Sequence, residues 1–139
     1  RFAQDTYYVG TNRTWAISSG EILNTVDDTM YRTERSAGSF GYRIPVANGN
    51  MTVVLHFSEN WWGAPGGGVG GTGKRLFHVD IEGARKLTNF DIFAKAGGAL
   101  KATQESFPVT VNDGVLTIDF TSGSADMPKI SAIEVVPAP

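Results

Sequence analysis

The sequence predicts an all-β domain: an antiparallel β-sandwich of the lectin-like or jelly-roll kind, carrying one short helix. Three observations carry that prediction. Val, Ile and Thr together number 33 of the 139 residues, against 6 Leu. Branched side chains pack well on a pleated surface and lose rotamer freedom in helices, so this ratio disfavours a helical bundle. Apolar residues recur with period 2 in several segments, and turn-forming residues separate those segments.

The elements follow in chain order. Phe40, Tyr42, Ile44 and Val46 alternate with Gly41, Arg43 and Pro45, and a proline there marks a strand edge or end because it cannot donate to a ladder. Asn48-Gly49-Asn50 turns the chain into 51–58, where Met51, Val53, Leu55 and Phe57 share a face. Residues 75–82 place Phe77, Val79 and Ile81 together, with His78, Asp80 and Glu82 opposite. Asp91-Ile92-Phe93-Ala94-Lys95-Ala96 begins with an acid and stops at Gly97-Gly98, as a one- or two-turn helix does. Phe107, Val109 and Val111 lead to Asn112-Asp113-Gly114, a tight-turn sequence whose glycine accepts positive φ. Leu116, Ile118 and Phe120 form the next strand, and residues 129–136 the last. The expected domain is 1–136, with Pro137-Ala138-Pro139 as the start of a linker.

Composition narrows the function. Twelve basic and fourteen acidic residues leave a net charge of −2, a poor match for a phosphate backbone, so no nucleic-acid partner is expected. No cysteine is present, which excludes disulfides, thiolate zinc sites and thiol nucleophiles. No apolar run is long enough to span a bilayer. The chain opens on Arg1 without an initiator Met, which reads as a mature or excised domain. Asn12-Arg13-Thr14 and Asn50-Met51-Thr52 match the N-glycosylation sequence.

Residues 63–73 hold seven glycines in eleven positions. Within them Gly66-x-Gly68-x-x-Gly71 imitates a dinucleotide fingerprint, and Gly68 to Lys74 imitates a phosphate loop. Arg75 stands where a phosphate loop needs Ser or Thr, and the following residues alternate as a strand instead of opening a helix. The run reads as a flexible hairpin loop. Just before it stand Trp61 and Trp62, whose side chains point to opposite faces if the strand continues, so one of them leaves the core. Indoles beside a loop offer an aromatic platform for the apolar face of a sugar ring; the alternative is an edge cap on the sandwich. Trp15, outside any clear strand, is either a core plug or a ligand contact. Tyr7, Tyr8 and Tyr31 read as packed residues with hydroxyls bonded at the rim.

Catalytic and metal patterns are weak. Glu59 and Asp126 could form a carboxylate pair, but a glycosidase needs a defined separation that sequence does not supply. His56 and His78 fall on strands with no third ligand spaced to join them. No cofactor is expected, and a structural calcium would need clustered oxygens that the sequence does not assign.

Several phrases occur in an order that resembles the malectin family of carbohydrate-binding domains. They are Tyr31-Arg32-Thr33-Glu34-Arg35, Phe40-Gly41-Tyr42-Arg43-Ile44-Pro45-Val46, Leu55-His56-Phe57-Ser58-Glu59 running into an aromatic pair, and Arg75-Leu76-Phe77-His78-Val79. Phe90-Asp91-Ile92-Phe93 with Ala96-Gly97-Gly98, and Pro128-Lys129-Ile130-Ser131-Ala132-Ile133-Glu134, complete the set. The resemblance implies a module that binds short oligosaccharides without hydrolysing them, a glucose-terminated one in the animal member. It implies that the ligand aromatics fall on Trp61 and Trp62, with Trp15 as a third, and the ligand Asp on Asp126. Glu59 and Asn60 are further polar candidates. This chain departs from the family in having Ser36 where an aromatic often follows Thr-Glu-Arg, a longer 63–73 loop, and no Asn-Ala-Gly-Gly strand before Phe2.

The expected function is therefore a non-catalytic, cofactor-free carbohydrate-binding module. It would be fused to a larger enzyme or surface protein and placed outside the cell or in the periplasm. Two rivals are a protein–protein interaction domain using the same aromatic patch and a structural spacer. A small glycoside hydrolase using Glu59 and Asp126 is a third.

Overall fold

The computed structural model describes residues 4–11 and 13–139. The opening residues 1–3 and Asn12, acceptor of the first glycosylation sequence, lie outside them. The strands are β1 (Tyr8–Gly10), β2 (Thr14–Ala16), β3 (Thr33–Ser36), β4 (Ser39–Pro45), β5 (Gly49–Phe57) and β6 (Leu76–Ile81). They continue as β7 (Ala84–Phe90), β8 (Thr103–Val111), β9 (Val115–Ala125), β10 (Lys129–Ile130) and β11 (Ala132–Pro137). Helix α1 spans Asp28–Arg32 and α2 spans Ile92–Ala96.

Pairing is antiparallel throughout the named strands. A five-stranded sheet in the order β1-β4-β9-β6-β7 faces a three-stranded sheet β11-β5-β8, and a small sheet β10-β3-β2 stands beside them. The period-2 faces read from the sequence are the ones that meet. Val53, Leu55 and Phe57 of β5 and Phe77, Val79 and Ile81 of β6 are fully buried, with Leu116, Ile118 and Phe120 of β9. Phe40 lies opposite Phe120 in register, and their rings stack at 4.7 Å. Each such large apolar side chain contributes about 1.5–3 kcal/mol when fully buried.

The expected helix is α2. The Asp91 carboxylate accepts the Ala94 N–H, and Gly97 closes the helix in the left-handed region at φ 84°, where a residue without Cβ carries no strain. Helix α1 was not expected. Asp27 caps it by accepting the Met30 N–H, and Asp28 pairs with Arg32 one turn on. Tyr31 on this helix is not a rim residue: it is buried, and its hydroxyl meets His56 Nδ1 at 2.7 Å. Burial first, then the nearby acids, raises its pKa despite a bond to Gln104 that lowers it. His56 also meets Glu134, and His78 accepts the Asn89 N–H, so both histidines serve as bonded strand residues.

Two boundaries differ from expectation. The single strand expected over 129–136 is broken at Ser131: Ile130 pairs with Arg35 in the small sheet, and Ala132 pairs with His56 in the other. The last strand also reaches past the expected linker start. Pro137 lies opposite Met51, and Ala138 donates to the Asn50 carbonyl. Even-numbered residues therefore bond towards β5, and the Pro137 nitrogen, which has no proton to give, faces outward at no cost.

Candidate functional site

Strand β2 places Trp15, and here the structure corrects the sequence reading that left it outside a strand. Trp15 pairs with Glu34 of β3, and Arg13 lies opposite Ser36, whose N–H it accepts. Because side chains alternate, Arg13 and Trp15 share one face of this sheet with Glu34 and Ser36. Lys129 of β10 lies opposite Ser36 on that same face. It is fully buried, and its ammonium meets Glu34 Oε1 at 2.6 Å. A sheet of three short strands thus becomes the floor of a site.

The wall comes from the chain leaving β5. Glu59 is only 1% exposed, and all its bonds are accepted ones. Oε2 takes the N–H groups of Trp61 and Trp62 at 3.2 Å each, and Oε1 takes Arg75 Nε at 2.8 Å. The second Arg75 nitrogen reaches Oε2 at 3.3 Å, and a third donates to the Met127 carbonyl. Burial would lower the Arg75 pKa, but the Glu59 bond and charge, followed by Asp126 and Glu34, raise it above its usual value. Arg75 is therefore a permanent cation that ties the Trp61 turn to the Asp126 turn.

Asn60 was expected as a polar ligand contact and is instead an internal clamp. It is 2% exposed; its amide donates to the Tyr31 carbonyl and accepts from the Ser58 hydroxyl. Glu59 likewise supports the site without lining its cavity. Both positions sit at the end of a buried strand, and the polar groups there must be bonded to be buried at all.

Three indoles follow one another edge to face. Trp15 and Trp61 have centroids 6.2 Å apart at 75°, and Trp61 and Trp62 are 6.5 Å apart at 82°. Trp15 is 36% exposed and Trp61 41%. Trp62 plays a different part from its neighbour: it does not line the cavity, and its indole N–H donates to Asp126 Oδ2 at 2.8 Å. Asp126 holds a left-handed backbone at φ 56°, which Asp tolerates better than most residues, and its Oδ1 accepts the Met127 N–H. Oδ2 is 3.7 Å from Arg75.

Around these residues lies an open cavity of about 280 Å³. Arg13, Trp15, Glu34, Ser36, Trp61, Arg75, Asp126 and Met127 line it. Of the residues expected at the site, Trp15, Trp61 and Asp126 meet there, while Trp62, Glu59 and Asn60 hold them in place. Arg13, Glu34 and Arg75 were not expected. Period 2 alone reveals Arg13 once Trp15 is placed on a strand, whereas Arg75 is brought in by tertiary contact with Glu59.

The 63–73 loop is not the flexible hairpin expected. Gly63 donates to Gly68, Gly67 to Ala64, and Gly73 to the Asp91 carboxylate. A Cβ on Gly68 would stand 2.4 Å from the Trp62 ring. Gly68→Ala is therefore expected to cost about 1–3 kcal/mol through overpacking. It should also shift the Trp62 indole N–H resonance as the bond to Asp126 is disturbed; an unmoved resonance would show the loop yielding instead.

Among the described residues no cluster of three or more His, Asp or Glu could hold a metal. No helix among them is long and apolar enough to cross a membrane.

A family model described as the malectin domain matches residues 1–133. A probable LRR receptor-like serine/threonine-protein kinase of Arabidopsis thaliana is 33% identical over 94% of this chain, which covers 16% of that protein. Human malectin is 27% identical over 81% of the chain, covering 41% of its length. The chain thus spans less than half of these relatives. Among solved structures, the plant receptor-like kinase ANX2 superposes with a TM-score of 0.78 at 17% identity, over 93% of this chain and 39% of that one. Bacteroides uniformis β-glucuronidase 2 superposes at 0.76 and 20% identity, over 95% of this chain and 14% of the enzyme. At such identities these two share the fold alone.

Proposed function

Since the chain belongs to the malectin domain family, we propose that it is a carbohydrate-binding module that holds a short oligosaccharide at the Trp15–Trp61 corner without cleaving it. One observation supports this most directly. Two exposed indoles stand nearly at right angles beside a carboxylate, over a floor in which Glu34 is already paired with Lys129. An exposed indole is costly to leave in water, and stacking the apolar face of a pyranose on it removes that area. A second ring set edgewise gives the sugar a side wall. Asp126 then accepts from ring hydroxyls, because its two oxygens each hold one donor and retain further acceptor capacity.

The same geometry speaks against the hydrolase rival. Glu59 does not line the cavity and is committed to Arg75 and two backbone donors, so the expected carboxylate pair does not face a common substrate. The cavity is small beside the usual range of roughly 300–1,000 Å³ for ligand sites, which suits one or two sugar units. Kinship with a receptor-like kinase supports a place in a larger polypeptide outside the cell, where tethering would raise avidity.

The test is a screen of glucose, galactose and rhamnose oligomers, followed by titration of the best binder. Asp126→Asn is expected to weaken that binder by about tenfold, the value of one charge-assisted hydrogen bond, with little change in melting temperature. Capture of a polypeptide partner with no saccharide bound would favour the interaction-domain rival. No ligand of either kind would favour the spacer.

A further inference from the structure

The cavity's charges do not cancel locally. Glu34 is neutralised by Lys129, and Arg75 is shared between Glu59 and Asp126. This leaves an excess negative charge at the Asp126 side. Arg13 lines the same cavity, and among the described residues no carboxylate lies within ion-pair distance of it. One of its terminal nitrogens is anchored on the Ser36 hydroxyl and carbonyl. The anchor holds the guanidinium beside the cavity, and its remaining N–H groups bond to none of the described residues. Ser36 is the position where the sequence comparison leaves the pocket short of an aromatic wall, and the structure fills that place with a cation.

We infer that Arg13 makes this site selective for saccharides that carry a carboxylate, the uronic acids, over neutral ones; this rests on the saccharide reading above. A hexuronate has a carboxylate on one side of the pyranose ring and hydroxyls on the other. With the ring stacked at the indole corner, the hydroxyls can donate to Asp126 while the carboxylate accepts from Arg13. A neutral sugar can satisfy the Asp126 side and leaves the guanidinium with water. The planar fork of Arg suits a carboxylate better than the point charge of Lys does. The acidic groups also act as a filter, because a carboxylate turned the other way would face Asp126.

The experiment titrates the intact chain with trigalacturonate and with its carboxyl-reduced neutral counterpart, following the indole N–H resonances of Trp15 and Trp61. A glucuronate-terminated and a glucose-terminated disaccharide form a second matched pair. The wild-type chain is expected to favour the acidic member of at least one pair by about tenfold. That ratio should shrink as salt is raised. Arg13→Ala should bring it towards one, and Arg13→Lys should leave it in between. A wild-type ratio near or below one in both pairs, or an unchanged ratio in Arg13→Ala, overturns the selectivity while leaving the saccharide reading in place if neutral oligomers bind. If no neutral or acidic saccharide moves either indole resonance, the saccharide reading fails and this inference with it.

Discussion

Trp61→Ala is expected to abolish measurable oligosaccharide binding while shifting the melting temperature by no more than about 2 °C. The residue is 41% exposed, meets Trp15 and Trp62 edge to face, and belongs to neither apolar core cluster, so little core packing is lost with it. What goes is the central member of the aromatic chain: Trp15 loses its partner and Asp126 keeps no ring beside it on the cavity side. Isothermal titration and thermal melts on the same preparation decide the matter. A large drop in stability with binding retained would place Trp61 in the framework and remove the platform from the proposal.

The second large effect is structural. Glu59→Ala is expected to destabilise the fold by about 3–5 kcal/mol, the usual consequence of leaving one partner of a buried ion pair alone. Arg75 would keep the Met127 carbonyl and an Asp126 oxygen 3.7 Å away, and the N–H groups of Trp61 and Trp62 would lose their acceptor. In a domain of this size that loss lowers the melting temperature by about 10–20 °C. Glu59→Gln keeps the shape and one acceptor, so a smaller loss is expected. If both variants melt like the parent, Glu59 does not hold the site together, and the preorganisation of Trp61 needs another cause.

These two outcomes separate residues that touch ligand from residues that place them, and neighbours in sequence fall on opposite sides. Glu59 and Asn60 are consecutive with Trp61, yet they point inward while Trp61 points out. The cause is the end of β5, where the strand leaves the core and the chain turns back over its own carboxylate.

The core was legible because it obeys a local rule. Met51, Val53, Leu55 and Phe57, or Phe77, Val79 and Ile81, need only period 2 to be assigned to one face, and both sets lie in the sandwich. The helix over 92–96 was legible through its Asp cap and its Gly stop. Short elements escaped: β1, β2 and β3 have three or four residues each, too few to show a period, and α1 has five. They form through partners distant in the chain, as when Trp15 finds Glu34. The malectin resemblance pointed to Trp15, Trp61, Trp62 and Asp126 without saying how they meet.

By itself the sequence determined the strand faces, the α2 caps, the tight turn at Gly114 and the absence of thiol chemistry, because each depends on one residue type or on neighbours a few positions apart. Only the tertiary structure decided that Trp62 braces Asp126 while Trp61 faces the cavity, that Glu59 serves Arg75, and that no carboxylate among the described residues lies within ion-pair distance of Arg13. Charge balance and solvent exposure are sums over everything nearby in space, and residues 13, 34, 75 and 126, which lie in or beside β2, β3, β6 and β9, become neighbours only when those strands have been folded onto one another.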